Sequence, residues 1–227
     1  MKSAVILLSG GLDSSTLLHY VRTRLNCRRL HALTIHYGQK HERETTCAVT
    51  QARAAGVEAH QQVDLAFFGE MMATASALTD PLMPVPALST LKPDQLDQPP
   101  TYVPNRNMLF LALAAAYAEA RGITDVFYGA QAHDRYGYWD CTPKFLEHMN
   151  AVLGLNRRHA IVLHAPFMLM GKSEILKIGL ELGVNYAETW SCYRGKDQPC
   201  GVCPSCVERR TAFAALHIAD PAEGRGL

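Results

Sequence analysis

The sequence predicts an α/β fold built on a doubly wound parallel sheet. Short apolar runs typical of buried strands alternate with longer segments whose apolar residues recur every three or four positions, as on one face of a helix. This alternation favours a parallel sheet with helices on both faces. A glycine-rich turn directly follows the first apolar run, and ligands of doubly wound folds bind beside such turns, at the carboxyl ends of the strands.

Each predicted strand is a short apolar run bounded by polar or turn-forming residues. The predicted strands are residues 4–8, 30–35, 59–63, 125–128 and 160–164. The predicted helices are residues 14–24, 42–55, 107–121 and 173–182. Gly56, Gly122 and Gly183 follow three of these helices, as C-cap glycines commonly do.

Between Leu78 and Pro104 the alternation stops. This segment holds seven of the twelve prolines and has no clear period, so we predict a long loop that either covers a substrate or is a disordered part of the surface. At 227 residues the chain is long enough for one main domain with a small appended module. We therefore divide it into an α/β domain that contains this loop, residues 1–190, and a C-terminal segment with a helix, residues 191–227.

The composition is that of an ordinary folded protein, with 48% hydrophobic and 19% charged residues and a formal net charge of +1. So small a charge gives no long-range field for a polyanion, and nucleic acid is not an expected partner. Paired arginines such as Arg209 and Arg210 are typical of solvated helix faces. The first apolar run is too short for a signal peptide and the longest, residues 108–118, is too short to cross a membrane, so we expect a cytoplasmic protein without membrane contact.

A candidate phosphate-binding loop, Ser9-Gly10-Gly11-Leu12-Asp13-Ser14, joins the first predicted strand to the first predicted helix. Adjacent glycines permit a tight turn that directs several N–H groups at one anion, at the positive end of the helix dipole. No lysine follows the glycines, so this glycine loop lacks the γ-phosphate grip of common P-loops and suits pyrophosphate better. Asp13 could hold Mg²⁺ against the phosphate oxygens. The alternative is a glycine-rich turn that binds nothing.

The glycine loop resembles the SGGxDS loop of the PP-loop ATP pyrophosphatase family. Members of that family cleave ATP between its α- and β-phosphates and adenylate an oxygen atom of their substrate. The resemblance predicts an ATP site formed by Leu8, Ser9, Gly10, Gly11, Leu12, Asp13, Ser14 and Ser15.

A second candidate site, the cysteine cluster, consists of Cys192, Cys200, Cys203 and Cys206. The C-x₂-C steps bring two sulfurs to one metal through a tight turn, and four thiolates without a further donor suit structural Zn²⁺ in tetrahedral geometry. Seven cysteines without a secretion signal also favour thiols or metal over disulfides. An iron–sulfur cluster and four separate buried thiols are the alternatives.

Four motifs occur in the order found in the 7-cyano-7-deazaguanine synthase family, which the chain resembles from Ala4 to about Arg210. They are the glycine loop, the phrase His36-Tyr37-Gly38-Gln39-Lys40-His41, the stretch Val103-Pro104-Asn105-Arg106-Asn107 and the cysteine cluster. The resemblance implies an adenine nucleotide alpha hydrolase-like fold and zinc on the four cysteines. It also implies that the chain converts 7-carboxy-7-deazaguanine and ammonia to 7-cyano-7-deazaguanine with ATP, through an adenylated intermediate, on the route to queuosine.

The chemistry of that reaction suggests roles for several polar residues. Pyrophosphate would rest on the glycine loop with Mg²⁺ on Asp13, and Lys172 and Arg106 are the candidates to neutralise charge on the α-phosphate. A base is also needed, although each candidate could instead bind substrate or be a structural polar group. The candidates are His41 with Glu44, and Asp134 with Asp140. The expected partners are the deazaguanine acid, ammonia and a second copy of the chain in a homodimer.

The segment 129–141 departs from the family pattern. His133 stands where family members usually carry an acidic residue, and Trp139 stands in place of a proline. Arg135 and Tyr136 replace small or apolar residues. These changes could be drift with unchanged activity, or they could redirect the activated acid, as an amide, to an amine of a protein or nucleic acid. A tRNA-modifying PP-loop ATPase and a non-catalytic nucleotide-binding module are further alternatives.

Overall fold

A five-stranded parallel sheet forms the centre of the computed structural model, which describes residues 1–40, 43–131, 138–195 and 197–223 without the side chains of Leu96 and Asp97. The strands are β1 (Ser3–Leu7), β2 (Arg29–His36), β3 (Ala59–Asp64), β4 (Asp125–Phe127) and β5 (Val162–His164). Their order is β3-β2-β1-β4-β5, and every pair of neighbours runs parallel. The predicted strands and the doubly wound fold class are confirmed, with strand ends that differ from the prediction by at most two residues.

The direction of winding reverses at β1. The chain runs from β1 to β2 and β3 on one side and then crosses to β4 and β5 on the other, so a crevice opens between the carboxyl ends of β1 and β4. Alternate residues of β1 enter two separate cores, since Val5 packs in one and Ala4 and Ile6 pack in the other. Because β1 is buried on both faces, its sequence is a continuous apolar run.

Helices cover both faces of the sheet. They are α1 (Leu12–Thr23), α2 (Arg43–Ala54), α3 (Ala66–Met71), α4 (Asp94–Asp97), α5 (Arg106–Glu119), α6 (Pro143–Leu153), α7 (Lys172–Glu181) and α8 (Pro204–Ala215). The predicted helices correspond to α1, α2, α5 and α7, again to within two residues. In the described part of the chain, no helix is long and apolar enough to cross a membrane.

The prediction did not include α3 or α6. The start of α6 is set by local signals rather than by a long periodic pattern, because the Thr142 hydroxyl accepts a hydrogen bond from the Phe145 amide over 3.2 Å and Pro143 occupies the first turn. On one face of the sheet α1 packs against α7 and α7 against α8, while α5 and α6 contact β1, β4 and β5. Two helical layers therefore enclose the sheet.

The Pro-rich loop, residues 78–104, is mostly irregular, as predicted, although it includes α4 and one 3₁₀ turn. Val85 in this loop is buried in the core. The loop backbone also meets the C-terminal segment. The Leu88 amide donates to Val202 O over 2.8 Å, and Arg194 Nε donates to Val85 O over 3.2 Å. These bonds join two segments that lie about a hundred residues apart in sequence.

Candidate active site

The glycine loop closes on itself through two serine hydroxyls. Ser14 Oγ accepts hydrogen bonds from the Ser9 and Gly10 amides, each over 3.2 Å, and lies 3.0 Å from Ser9 Oγ. The Gly11 amide donates to Ser9 Oγ over 3.2 Å. Gly11 also begins α1 without a side-chain cap, so no side chain of this residue competes for the N–H groups of the first turn. The three loop amides thus hold the turn in shape, and the N-terminus of α1 is placed where an anion could bind.

Gly10 is required by the packing of α2. Its φ angle is +91°, and a Cβ atom there would lie 2.2 Å from Glu44 O and 2.5 Å from the Ala48 amide nitrogen. Only a residue without a side chain fits this backbone and this space. On the other side of the loop, a Cβ atom on Gly129 would lie 3.4 Å from the Ser14 amide nitrogen. The loop is therefore held between α2 and the segment that follows β4.

A charged row, Asp13-Lys172-Glu208, lies beside the glycine loop. Lys172 Nζ lies 3.2 Å from Asp13 Oδ2 and 3.2 Å from Glu208 Oε2. Gln131 Nε2 donates to Asp13 Oδ1 over 3.1 Å. The side chains of Asp13, Lys172 and Glu208 are 23%, 16% and 21% exposed. Side chains from α1, α7, α8 and the segment after β4 thus form one connected row, in which the Asp13 carboxylate is still partly exposed.

The first turn of α5 presents a cation and an amide to the same crevice. Arg106 Nη1 donates to Tyr37 Oη over 3.1 Å, and its guanidinium carbon lies 5.5 Å from the centre of the Tyr37 ring. Asn107 Nδ2 donates to Cys141 Sγ over 3.3 Å. Asp140 is buried nearby, and burial raises the pKa of its carboxyl although the charge of Arg106 acts in the opposite direction. The start of α5 therefore brings a guanidinium, an amide and a buried carboxyl group together in a region that is partly shielded from water.

A cavity of about 270 Å³ lies between the glycine loop, the charged row and the start of α5. Leu33 and Ile35 of β2 give it an apolar side. Two other lining residues, Tyr128 and Thr45, have buried hydroxyl oxygens with no hydrogen-bond partner within the described part of the chain. Because an unpartnered buried hydroxyl is costly, these two atoms are consistent with a site that a polar ligand completes.

Most of the predicted site residues lie at this cavity. The lining includes Leu8, Ser9, Gly11, Leu12, Asp13, Ser14, Glu44, Arg106 and Lys172. Gly10, Ser15 and Asp140 are not lining residues, since Gly10 faces α2 and the side chains of Ser15 and Asp140 are buried. Five residues considered in the sequence, His41, His133, Asp134, Arg135 and Tyr136, lie outside the described residues.

The cysteine cluster is compact. The sulfurs of its four residues lie within 4.8 Å of one another, and all seven cysteines of the chain are free of disulfides. Cys192 Sγ accepts hydrogen bonds from the Arg194 and Cys200 amides over 3.4 and 3.3 Å, and Cys200 Sγ accepts one from the Cys203 amide over 3.3 Å. Hydrogen bonds from Cys203 and Cys206 also lower the pKa of Cys192. Close sulfurs with backbone donors that favour thiolate fit a soft tetrahedral metal ion.

The C-terminal segment is tied to the glycine loop. The Trp190 amide donates to Gly10 O over 3.0 Å. In α8, the prediction of a solvated arginine pair is wrong for Arg209, which is 4% exposed. Asp220 accepts two hydrogen bonds from its guanidinium, over 2.7 and 2.8 Å, and Thr189 Oγ1 accepts a third over 2.7 Å. Full pairing of the charge is what permits its burial.

Three residues of the site were missed in the sequence. Tyr128 and Gln131 stand at the end of a predicted strand, where ligands of doubly wound folds bind, so their position was a usable signal. Glu208 offers no local signal, because its contact with Lys172 joins residues 36 positions apart on two different helices. Such a pairing becomes visible only in the folded chain.

The parallel sheet, the glycine loop at its switch point and the missing P-loop lysine define a nucleotide-binding protein of the PP-loop class. Two solved structures have a similar fold. A 4-thiouridine synthetase–RNA complex with bound ATP matches with a TM-score of 0.55 and 18% identity, over 94% of this chain and 54% of that one. A predicted subunit of tRNA methyltransferase from Methanocaldococcus jannaschii matches with a TM-score of 0.50 and 16% identity, over 97% of this chain and 90% of that one. At these identities the likeness shows the fold alone.

Sequence relatives define the family within that class. The family model described as "Queuosine biosynthesis protein QueC" matches residues 3–217. The 7-cyano-7-deazaguanine synthase of Marinobacter nauticus is 43% identical over 219 residues, which cover 96% of each chain. That of Thermoplasma acidophilum is 42% identical and covers 98% of this chain and 92% of its own. The chain therefore belongs to the QueC family of queuosine biosynthesis proteins.

Proposed function

We propose that this chain is an ATP-dependent carbon–nitrogen ligase that converts 7-carboxy-7-deazaguanine and ammonia to 7-cyano-7-deazaguanine in queuosine biosynthesis. One combination carries the proposal. The glycine loop, Asp13 and Lys172 line a single cavity in a QueC-family chain that is 43% identical to a protein named 7-cyano-7-deazaguanine synthase. Fold alone would leave the substrate open, since PP-loop relatives act on different molecules.

The reaction requires two activations. In the first, a carboxylate oxygen of the acid attacks the α-phosphorus of ATP, pyrophosphate leaves, and ammonia then displaces AMP from the acyl carbon to give the amide. In the second, the amide oxygen attacks the α-phosphorus of a further ATP molecule and pyrophosphate leaves, after which AMP departs from the same carbon as the nitrogen loses its two remaining protons to give the nitrile. Each adenylation turns a poor oxygen leaving group into AMP. Two molecules of ATP are therefore converted to AMP for each nitrile formed.

The residues of the cavity supply binding and charge neutralisation for these steps. The N-terminus of α1 would bind the phosphates next to the glycine loop, while the Lys172 and Arg106 cations would offset charge that develops on the α-phosphate. Asp13 fits a Mg²⁺ ligand because its carboxylate is partly exposed and lines the cavity beside the loop. When bound there, Mg²⁺ would neutralise phosphate charge and favour the departure of pyrophosphate.

The remaining polar groups suit the deazapurine. The end of the cavity next to α5 has a guanidinium, an amide and the Tyr128 hydroxyl, which has no hydrogen-bond partner among the described residues. The β2 side has the apolar residues Leu33 and Ile35. A heterocycle with a carboxylate and several ring donors matches the polar end, and the adenine ring matches the apolar side. The general base that removes protons from the nitrogen stays a prediction among His41, Glu44, Asp134 and Asp140.

The cysteine cluster would hold Zn²⁺ as a closed structural site, which would stabilise the end of the chain that carries α8. We also propose the division into residues 1–190 and 191–227, a homodimer and a cytoplasmic location, each on the basis of the sequence. Transfer of the acid to a macromolecular amine has no observation in its favour. Of the residues that motivated it, His133, Arg135 and Tyr136 lie outside the described residues. Trp139 is not a lining residue of the cavity, and its Nε1 donates to Tyr102 Oη over 2.8 Å.

The test is a reaction of the purified protein with 7-carboxy-7-deazaguanine, Mg²⁺-ATP and ammonium, analysed by mass spectrometry with AMP and ADP measured in the same samples. We expect the nitrile together with two AMP and no ADP, and we expect the acid to remain without nitrile or amide when ammonium is omitted. Amide that accumulates without nitrile, or ATP hydrolysed to ADP, would contradict the proposal.

A further inference from the structure

Glu208 has no role in the proposed reaction, yet it lines the cavity and contacts Lys172. It belongs to α8, and its Oε2 atom is 3.2 Å from the Lys172 ammonium. Asp13 lies on the other side of the same ammonium, also at 3.2 Å. Both Lys172 and Glu208 line the cavity and are largely buried. One lysine is thus bracketed by two carboxylates that come from different helices.

The electrostatics of this arrangement need an explanation. A carboxylate in the wall of a phosphate-binding cavity repels the ligand unless a cation neutralises it. In the free protein Asp13 alone already pairs with the Lys172 charge. The second carboxylate, Glu208, is therefore unfavourable for phosphate binding when it is considered alone, and its benefit must come through Lys172.

The position of Lys172 supplies the reason. Lys172 is the first residue of α7, and the positive end of a helix dipole disfavours a cation at that position. If the Asp13 carboxylate engages Mg²⁺ with the incoming nucleotide, its attraction for Lys172 is weakened and the adjacent positive charges repel each other. A long flexible side chain would then follow the mobile phosphates or move towards solvent unless an anion fixed to the protein held it. Glu208 is at the right distance to be that anion.

We propose that Glu208 is a positioning residue that keeps the Lys172 ammonium at the cavity while Asp13 engages the metal-bound phosphates of ATP. The inference rests on the proposed function only in requiring that the cavity bind Mg²⁺-ATP. It also gives the cysteine cluster an indirect part in the site, because Glu208 follows Cys206 by two residues on α8. The cluster fixes the start of the helix that carries the carboxylate.

A double-mutant cycle on nucleotide affinity tests this proposal. Binding of α,β-methylene-ATP with Mg²⁺ is measured by isothermal titration calorimetry on the zinc-loaded wild-type protein, Glu208→Gln, Lys172→Met and the double variant. We expect Glu208→Gln alone to weaken binding about fivefold, and to change it by less than twofold when Lys172 is already Met. In turnover, Glu208→Gln should lower kcat about tenfold and leave the KM for the deazaguanine acid within twofold of wild type.

Glu181→Gln is the matched control, because Glu181 also pairs with a cation, Arg24 at 3.0 Å, but on the surface of α7. It should change neither affinity nor kcat. Equal losses from Glu208→Gln in the presence and absence of Lys172 would overturn the proposal, and so would a lower melting temperature without any change in nucleotide affinity. Because the analogue contains no deazapurine, a wild-type protein that binds it but makes no nitrile would disprove the proposed function and leave this cycle measurable.

Discussion

The glycine loop and the C-terminal segment that carries the cysteine cluster, here called the cysteine segment, lie against each other. They are held in place in different ways. In the loop, the defining hydrogen bonds join residues no more than five positions apart, such as Ser9 and Ser14. The cysteine cluster also has local hydrogen bonds, but its segment depends in addition on distant partners, as in the hydrogen bonds from Leu88 to Val202 and from Arg194 to Val85. The loop is therefore a local structure placed on a sheet, whereas the cysteine segment is a junction between separate parts of the chain.

This difference has a consequence for mutations. Changes to charged groups at the loop should alter phosphate chemistry and leave the fold nearly intact, because the loop backbone is held by its own hydroxyl groups. Changes to the cysteine cluster should disturb folding and chemistry together, because α8 carries both Cys206 and Glu208. Variants of the glycine loop and variants of the cysteine cluster can thus be distinguished by measuring both activity and stability.

The largest effect is expected for Asp13→Ala. Loss of the carboxylate removes the proposed Mg²⁺ ligand and one partner of Lys172, so kcat for AMP formation should fall about 1,000-fold. The melting temperature should fall by less than about 4 °C, since a partly exposed pair contributes little to stability. Steady-state kinetics and calorimetry check both values, with zinc content as the control for an intact cysteine cluster. Turnover within tenfold of wild type would exclude Asp13 from the reaction.

Removal of the proposed Zn²⁺ should lower stability as well as activity, in contrast to Asp13→Ala. Treatment with a zinc chelator, or the substitution Cys203→Ser, should lower the melting temperature by about 10 °C. Either change should also make the peptide bond after Arg194 sensitive to trypsin. The physical reason is that the hydrogen bond from Arg194 to Val85 and the start of α8 both depend on the cysteine cluster. Nucleotide turnover should be lost in parallel, while circular dichroism retains the signal of the sheet.

Restoring Zn²⁺ to the chelated wild-type protein should recover both protease resistance and activity, whereas Cys203→Ser should recover neither. A chelated protein that keeps its melting temperature would show that the four sulfurs stabilise the segment without a metal.

The same contrast explains how far the sequence could predict the structure. The strands, the four periodic helices, the position of the glycine loop between β1 and α1 and the clustering of the four cysteines could be predicted, because each depends on a contiguous pattern or a fixed spacing. The burial of Arg209 was not predicted, because it requires Asp220, eleven residues further on and beyond the end of α8. The link between Glu208 and Lys172 was missed for the same reason, since side chains on separate helices have no common signal in the sequence.

A helix such as α6 was missed for a different reason. Its start is encoded by Thr142 and Pro143, but at eleven residues it is short and supplies few periods of the apolar pattern. Cap signals of this kind are local and could have been used. Helix α6 could therefore have been predicted from its cap residues. The contact of Glu208 could not, because no local signal in the sequence marks it.

The smallest expected effect separates local backbone strain from packing at the loop. Gly10 and Gly56 both have positive φ angles, +91° and +62°, but a Cβ atom on Gly10 would meet α2 at 2.2 Å whereas one on Gly56 would meet nothing within 4 Å. Gly56→Ala should therefore cost only the strain of its backbone, about 1 kcal/mol. Gly10→Ala should cost about 3–4 kcal/mol, because displacement of α2 adds to the strain.

Denaturant titration of both variants measures the difference directly, and the free energy of unfolding is the quantity to compare. If the two substitutions cost the same, α2 moves away from the loop without penalty, and the packing of Glu44 and Ala48 does not hold the loop. If Gly10→Ala lowers the free energy of unfolding by more than Gly56→Ala does, the affinity of the Gly10→Ala variant for Mg²⁺-ATP is measured next. A folded variant with a weaker affinity for Mg²⁺-ATP would show that α2 sets the shape of the phosphate site, although neither Glu44 nor Ala48 was chosen as a phosphate-binding residue.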